Sequence, residues 1–372
     1  MQINVYPKIS NQIPAYLLFF LIYSNQVGVG VLGFQRVIAI EAGHDAWIAV
    51  VIAGIAVHLV MWAIINTLKR YPSSDLYGIN CDVFGQLFGS LINILYMLYF
   101  TLIAIVILRT YTEVIQTWMF PEIPTWFVSA TVLGLALYTL LGGIRIITGY
   151  TFISVVTTLW LIFFLYFPSQ YARWSYLYPV LEANVPEILS GAVQMSFTIV
   201  GFEILYMVYP FVSNKEKVGA FSQSGALLTN LIYLFLMVLA ITFFSKNQLM
   251  KTTWATLNLQ QMVHLPFLER FEFIILSIWL IVIMPNVMLY TWSVSRGLKR
   301  MYQWQYRRTI FVVVLVIFAG VLVFLTRSQI NSLNNFASQV GYYAAFIYPI
   351  LLYIGVVIKG AWRKHRERGN TG

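Results

Sequence analysis

The chain has 372 residues, of which 60% are hydrophobic and only 10% are charged, and its mean hydropathy is +0.77. A soluble globular protein has roughly 45–50% apolar and about 25% charged residues, so this chain has too few charges to cover a surface that faces water. Its single cysteine, Cys81, excludes an internal disulfide and a two-cysteine redox motif. These numbers predict an all-α integral membrane protein with one membrane domain over residues 1–372.

Long uncharged stretches give the number of membrane spans, because a spanning helix needs ~20 mainly apolar residues. Ten such stretches occur, and only the sixth is interrupted by a charge, Glu203. In chain order they cover residues 9–35, 46–68, 83–108, 123–144, 146–172, 188–214, 218–245, 273–295, 309–326 and 328–358. They lack the two-residue alternation of barrel strands, so we expect ten transmembrane helices. Another uncharged stretch, 252–268, is too polar to cross lipid, and we interpret it as a re-entrant or surface helix.

Basic residues predict the orientation in the membrane. With the N-terminus inside, 16 of the 23 Lys and Arg residues fall in inner segments, so we expect both termini to be cytoplasmic. This bias and the basic tail at 360–372 account for the net charge of +10 without nucleic acid as a partner. The tail either contacts anionic lipid headgroups or serves only as a topology signal. The segment before the first span is short and polar, with only Lys8, so no cleavable signal peptide is expected.

The middle of the first span contains Asn25, Gln26, Gly28 and Gly30. Glycine next to polar side chains favours an opened backbone. Unwound backbone at membrane depth is tolerated where it lines a cavity or is buried in protein. The alternative is close helix packing by small residues.

The sixth span has a similar anomaly, with Ser196, Thr198, Gly201 and Glu203 at mid-depth. A carboxylate in that position is a candidate functional group by default. The two unusual spans each begin a five-helix half, 9–168 and 187–359, and an odd number of spans makes the halves start on opposite sides. This topology, rather than any internal sequence similarity, predicts a 5+5 inverted repeat whose broken helices 1 and 6 form a site at the midplane.

Broken helices suit a zwitterionic ligand. Exposed amides at a half-helix N-terminus attract a carboxylate, and freed carbonyls at a C-terminus accept hydrogen bonds from an ammonium group. We therefore expect a small amino acid to bind with its backbone against Asn25–Val31 and Ser196–Glu203.

Ten spans, two broken helices, Gly28-x-Gly30 and a polar stretch after span 7 together resemble the amino acid–polyamine–organocation transporter superfamily. The ten-span length, the short polar N-terminus with Ile13-Pro14 and the short basic tail resemble one branch, the spore germination permease family. That branch comprises the B subunits of endospore nutrient germinant receptors. The resemblance extends over residues 9–359 without a single diagnostic motif. It implies a subunit that senses an amino acid or similar nutrient in the spore inner membrane, together with separately encoded subunits A and C.

Two further residues are candidates for ligand contact. In the fold that the resemblance implies, span 3 borders the cavity, which makes Tyr96 a candidate, although aromatic residues also pack between helices. Asn286 follows Pro285 in span 8, and proline in a helix leaves a carbonyl free. That carbonyl either faces a cavity or is capped by Asn286.

Arg36 lies about two turns after the break in span 1, where related transporters close an outer gate with an arginine and an acid on span 10. No Asp or Glu occurs between Arg327 and Lys359, so Glu113 or a backbone carbonyl replaces that acid, or Arg36 extends to the headgroups. Glu203 has three interpretations: a proton site, a partner for the ligand's amine, or a structural group bonded to freed backbone.

The sequence contains no nucleophile–base motif, no paired-carboxylate spacing and no phosphate-binding loop, so no enzymatic activity is expected. The four histidines are dispersed, and neither a metal nor a cofactor is predicted. Two functions are left: a ligand-gated receptor subunit, which the ten-span length and the missing span 10 acid favour, and a proton-coupled amino-acid permease.

Overall fold

The computed structural model describes residues 2–263 and 270–369, except for the side chains of residue 364 and residues 366–369. Within these ranges the chain is built from sixteen α-helices joined by short turns. The first seven are α1 (Leu17–Gln26), α2 (Phe34–Ala42), α3 (Ala46–Arg70), α4 (Leu76–Trp118), α5 (Thr125–Leu141), α6 (Ile144–Thr158) and α7 (Tyr166–Ser169). The remaining nine are α8 (Val185–Thr198), α9 (Leu205–Val208), α10 (Val218–Phe243), α11 (Lys246–Lys251), α12 (Ala255–Gln260), α13 (Phe271–Tyr302), α14 (Tyr306–Val323), α15 (Arg327–Gly341) and α16 (Tyr348–Gly369).

Many of these helices are long and apolar enough to cross a bilayer. In the described part of the chain, seven helical segments meet that condition, and there are eight if α8 and residues 202–211, bent by 50°, are taken together as one span. The seven are Phe34–Arg70, Leu76–Trp118, Ile144–Ser169, Lys215–Phe243, Phe271–Tyr302, Tyr306–Val323 and Arg327–Arg363. Two further apolar helices, α1 and α5, are shorter. The protein is therefore an all-α, multi-pass membrane protein, as its composition predicts.

Local sequence signals explain where several helices begin. Asn184 and Glu187 form a capping box before α8, with each side chain bonded to the other residue's backbone N–H at 2.9 Å. Thr326 and Gln329 form the same motif before α15. Such boxes satisfy backbone donors that the first turn leaves unpaired.

Two helical segments are interrupted at the positions that the sequence indicates. Within the stretch predicted as the first span, α1 ends at Gln26 and the next α-helix, α2, begins only at Phe34, and we call residues 27–33 the span 1 break. In the bent span, α8 ends at Thr198 and α9 begins at Leu205, and we call residues 199–204 the span 6 break. Each break contains a short 3-10 turn instead of regular helix.

Helix α13 lies at the centre and packs against α1, α4, α5, α6 and α14. Around it, α10 packs on α1 and α3, while α8 packs on α2 and α3. Helix α15 contacts both α4 and α8. These contacts bring the two breaks to the same level beside α13.

Loop contacts separate into two groups, which mark the two ends of the bundle. At one end, Arg300 Nη2 donates to the Ile3 carbonyl at 3.1 Å, and Lys215 donates to the Pro72 carbonyl. At the other end, the Asp45 carboxylate accepts the backbone N–H of Leu181 at 2.7 Å and of Ala183 at 2.9 Å. Lys246 pairs with Glu182 there at 3.2 Å. The contacts of the N-terminal segment and those of Asp45 thus involve separate sets of loops.

Part of the polar stretch 252–268 forms α12, which lies against the span 1 break. Thr256 Oγ1 donates to the Val31 carbonyl at 2.7 Å and accepts from Gln35 Nε2 at 2.6 Å. Residues 264–268 of the same predicted surface or re-entrant helix lie outside the described residues.

Candidate functional site between the two breaks

Side-chain amides join the two breaks directly. Asn25 Nδ2 donates to the Gly201 carbonyl at 2.7 Å, and Gln26 Nε2 donates to the Ile199 carbonyl at 2.8 Å. Since α1 and α8 both end here, their last carbonyls have no partner within the helix. The amides at the end of α1 therefore donate to carbonyls of the span 6 break.

Asn286 of α13 completes this capping. Its Nδ2 donates to the carbonyls of Ser24 and Asn25, both at 2.9 Å. It thus caps α1, whereas one of the interpretations from sequence was a cap on the carbonyl freed by Pro285 in its own helix. Tyr233 supports the same region, with its hydroxyl 3.2 Å from the Gln26 carbonyl.

Glycine allows the breaks to approach each other. Gly201 has a φ of +122°, and a Cβ at this position would lie 2.3 Å from the Asn25 carbonyl oxygen. A Cβ on Gly30 would lie 3.1 Å from Thr198 Cγ2, and one on Gly28 would lie 3.2 Å from Asn286 Oδ1. A side chain in place of Gly201 would thus clash with the backbone of α1. A side chain in place of Gly28 or Gly30 would meet limited space.

The Glu203 side chain is fully buried within the span 6 break. Its Oε2 accepts the Gly201 N–H at 2.7 Å. Its Oε1 accepts the hydroxyls of Tyr99 at 2.9 Å and Tyr290 at 3.1 Å. The carboxyl group therefore joins α4, α13 and the broken span. These contacts favour the structural interpretation of Glu203.

A cavity of about 410 Å³ lies beside the breaks. Its wall includes seven of the residues singled out in the sequence: Asn25, Gln26, Gly28, Gly30, Arg36, Thr198 and Asn286. Gly201 and Glu203 lie behind this wall, and Tyr290 stands between the cavity and the Glu203 carboxyl group. Ser196 and Tyr96 bond instead to backbone carbonyls, of Val193 at 2.5 Å and Ala344 at 2.6 Å respectively.

Helix α15 supplies a polar wall that the sequence reasoning missed. Asn331, Asn334, Asn335 and Ser338 line the cavity at the i, i+3, i+4, i+7 spacing of one helix face. The sequence does contain a signal for this wall, since the first half of the tenth uncharged stretch is rich in side-chain amides. On the α4 side the wall is apolar and comprises Ile103, Val106 and Ile107.

Two arginines contribute guanidinium groups to the wall. Arg36 Nε donates to the Met250 carbonyl at 2.9 Å, and Arg327 forms an ion pair with Glu113. Both arginines line the cavity, and no Asp or Glu does so among the described residues. Amides, hydroxyls and guanidinium groups suit a small polar ligand that carries a carboxylate. Among the described residues, no three His, Cys, Asp or Glu side chains come together as a metal site.

Fold and site together define a helical membrane protein with a partly polar cavity beside two interrupted helices. The family model for spore germination proteins matches residues 12–332. The chain therefore belongs to the spore germination protein family, and the family resemblance inferred from the sequence is confirmed.

Curated relatives carry the same description over nearly their whole length. Spore germination protein GerQB of Bacillus cereus is 36% identical over 346 residues, which cover 93% of this chain and 96% of that protein. Spore germination protein YndE of Bacillus subtilis (strain 168) is 22% identical over 352 residues, 94% of this chain and 96% of that protein. Spore germination protein GerLB of Bacillus cereus is 22% identical over 334 residues, 88% of each chain.

Proposed function

We propose that this protein is the membrane-embedded B-type subunit of a germinant receptor and that it binds a small amino acid or similar nutrient between the two breaks. The observation that carries the proposal is the 410 Å³ cavity, whose wall contains residues of both breaks. Its polar groups match the carboxylate and hydrogen-bonding groups of such a nutrient. The names of the relatives support a role in germination.

The proposed architecture has ten spans arranged as a 5+5 inverted repeat. Two changes turn the eight segments that meet the length condition into ten spans. The segment Phe34–Arg70 is divided, so that α2 is the second half of span 1 and α3 is span 2. The shorter helix α5 is added as span 4. Both termini are cytoplasmic, and the membrane is the spore inner membrane. The basic tail contacts anionic lipid headgroups.

In this function, ligand binding shifts a conformational equilibrium that subunits A and C detect. A ligand shifts such an equilibrium only by its difference in affinity for the two states. The amides that join the breaks are suited to this role, since they connect the ligand site to the relative position of α1 and α8.

A proton-coupled permease is the alternative. Its coupling would need a titratable group in contact with the ligand path. Glu203 is the buried acid at this depth, and its carboxyl oxygens are bonded to Gly201, Tyr99 and Tyr290 behind the cavity wall. This arrangement favours the receptor over the permease.

The two functions are distinguished by purified protein in liposomes, with twenty radiolabelled L-amino acids and an imposed pH gradient. We expect saturable binding of at least one amino acid without gradient-driven accumulation. Accumulation would establish the permease. If none of the amino acids binds to the reconstituted complex with subunits A and C, the proposed ligand class is refuted.

A substitution of Gly30 connects that binding to the cavity. Gly30→Val places a branched side chain against Thr198, so we expect the dissociation constant to rise at least about tenfold. The control is Gly134→Val on α5, where a Cβ meets no other atom within 4 Å. Equal affinity in both variants would place the ligand elsewhere.

A further inference from the structure

Three side-chain amides at the breaks have oxygen atoms without a hydrogen-bond partner among the described residues: Asn25 Oδ1, Gln26 Oε1 and Asn286 Oδ1. We call them the acceptor cluster. The three residues are only 4%, 1% and 1% exposed, respectively. Each amide nitrogen donates to a backbone carbonyl, which fixes the orientation of the amide and leaves its oxygen as an acceptor only.

The surroundings strengthen these acceptors. The amides of Asn286 and Gln26 cap the C-terminal ends of α1 and α8, where helix dipoles place partial negative charge. An amide that donates its N–H to a carbonyl is polarised, so its own oxygen becomes a better acceptor. The partial negative charge at the ends of the two helices thus makes the side-chain oxygens next to the cavity stronger acceptors.

The positive groups of the wall lie elsewhere. Arg36 is ten residues beyond Gln26 and bonds to Met250, which belongs to the segment that follows α10. Arg327, at the start of α15, lies near the same segment, with its guanidinium 5.8 Å from the Trp254 ring. The cavity therefore has acceptors beside the breaks and guanidinium groups towards the α11–α12 end.

We infer that the acceptor cluster binds the primary ammonium group of the ligand, while the ligand's carboxylate points towards Arg36 and Arg327. This inference rests on the proposed function and defines the ligand's orientation in that site. A primary ammonium has three N–H donors, as many as the acceptor cluster has oxygens. The binding group is made of neutral amides, and Glu203 acts only as a positioning residue behind Tyr290.

The acceptor cluster also couples binding to conformation. The three oxygens have essentially no accessible surface in this conformation, although their residues line the cavity. An ammonium group reaches them only when the breaks separate slightly. The conformation with the ligand bound pairs acceptors that are unpaired here, so the ligand prefers the opened state.

The test is a methylation series of the tightest-binding amino acid from the liposome panel. Its N-methyl, N,N-dimethyl and N,N,N-trimethyl derivatives keep the positive charge and lose N–H donors one at a time. We expect each methylation to lower the affinity about fivefold or more, the last step included, because each one removes an N–H donor and leaves one oxygen of the acceptor cluster unpaired. Binding of the trimethyl form within about threefold of the dimethyl form would overturn the inference. Failure of every parent amino acid to bind would instead remove the proposed function and this orientation with it.

A matched pair of variants locates the effect. A Cβ in Gly28→Ala lies 3.2 Å from Asn286 Oδ1, whereas the Cβ in Gly134→Ala meets no atom within 4 Å. We expect Gly28→Ala to bind the parent amino acid at least about tenfold more weakly but the trimethyl form as weakly as before. A parallel loss for both ligands in Gly28→Ala would indicate general obstruction of the cavity and contradict the inference.

Discussion

Gly201 and Glu203 act as one unit at the scale of single residues. The backbone of Gly201 adopts a positive φ, which brings its N–H to the Glu203 carboxyl group and its carbonyl to Asn25. Sequence reasoning identified both residues as unusual at membrane depth. It did not identify Tyr99 and Tyr290 as the partners of Glu203, because these residues lie on α4 and α13, far away in the chain.

Gly201→Ala tests the need for this backbone conformation. An added Cβ lies 2.3 Å from the Asn25 carbonyl and also disfavours the positive φ. We expect the free energy of unfolding to fall by about 2–4 kcal/mol, measured as a lower Tm in lipid nanodiscs. Gly149→Ala on α6, where a Cβ meets no atom within 4 Å, serves as the control and should unfold at the wild-type temperature or slightly above. Equal Tm values for the two variants would contradict this account of the span 6 break.

Glu203→Gln distinguishes a structural carboxyl group from a proton site. The amide oxygen retains the bond from Gly201 N–H, and the tyrosine hydroxyls rotate to accept from the new NH₂ group. We expect a loss of about 1–3 kcal/mol in stability, with the pH dependence of ligand binding unchanged in shape. The measurement is the dissociation constant from mildly acidic to neutral pH. A pH dependence present in the wild type and absent from the variant would identify Glu203 as the proton site.

At the scale of helices, the start of α4 is fixed by buried ion pairs. Asp75 is the N-cap residue of α4, and its carboxylate pairs with Arg296 at 2.9 Å and with Arg300, both on α13. The guanidinium of Arg296 also lies 4.6 Å from the ring centroid of Phe211, at the end of the bent span. One carboxylate therefore connects three of the elements that surround the breaks.

Asp75→Asn should be strongly destabilising for this reason. The Asp75 side chain is fully buried, while those of Arg296 and Arg300 are 14% and 10% exposed. Removal of one partner leaves buried positive charge, so we expect a loss of about 3–5 kcal/mol. The control is Glu182→Gln, since the Lys246–Glu182 pair is 40% and 50% exposed and should contribute less than about 1 kcal/mol. Both Tm values can be measured in the same nanodiscs, and similar losses would argue against the structural role of Asp75.

Some helices were easier to predict from the sequence than others. Long apolar windows predicted the large helices well, since the bilayer requires such runs whatever their tertiary contacts. The polar face of α15 was not recognised as cavity wall, because an uncharged amide-rich stretch gives no indication of the helix that it faces. Tyr96 shares a stripe with Ile103, yet only Ile103 reaches the cavity. Which member of a stripe meets the cavity depends on the rotation of α4, and this rotation is set by packing against α13 and α15.

At the scale of the whole molecule, the contacts between loops separate the two ends of the bundle. Residues near the N-terminus bond to Arg300 and Arg145, while Asp45 bonds to the segment before α8. The proposed orientation places the first group in the cytoplasm.

Single-cysteine labelling tests this orientation. In a Cys81→Ala background, we expect Glu216→Cys to be labelled by an impermeant maleimide only after permeabilisation of right-side-out vesicles. Ser175→Cys should be labelled without permeabilisation. Both native side chains are exposed, so differences in reactivity report the side of the membrane. The reverse pattern would invert the assigned topology.

The proposed ligand site is the cavity between the breaks. Ligand protection of a cysteine on the cavity wall tests this location. In the Cys81→Ala background, Ser338→Cys places a thiol on the α15 wall, and Ser175→Cys provides an exposed thiol outside the cavity. We predict that a saturating amino acid from the liposome panel slows alkylation at position 338 at least about tenfold and leaves position 175 unchanged. Unchanged alkylation at position 338 in protein that still binds the amino acid would contradict the account.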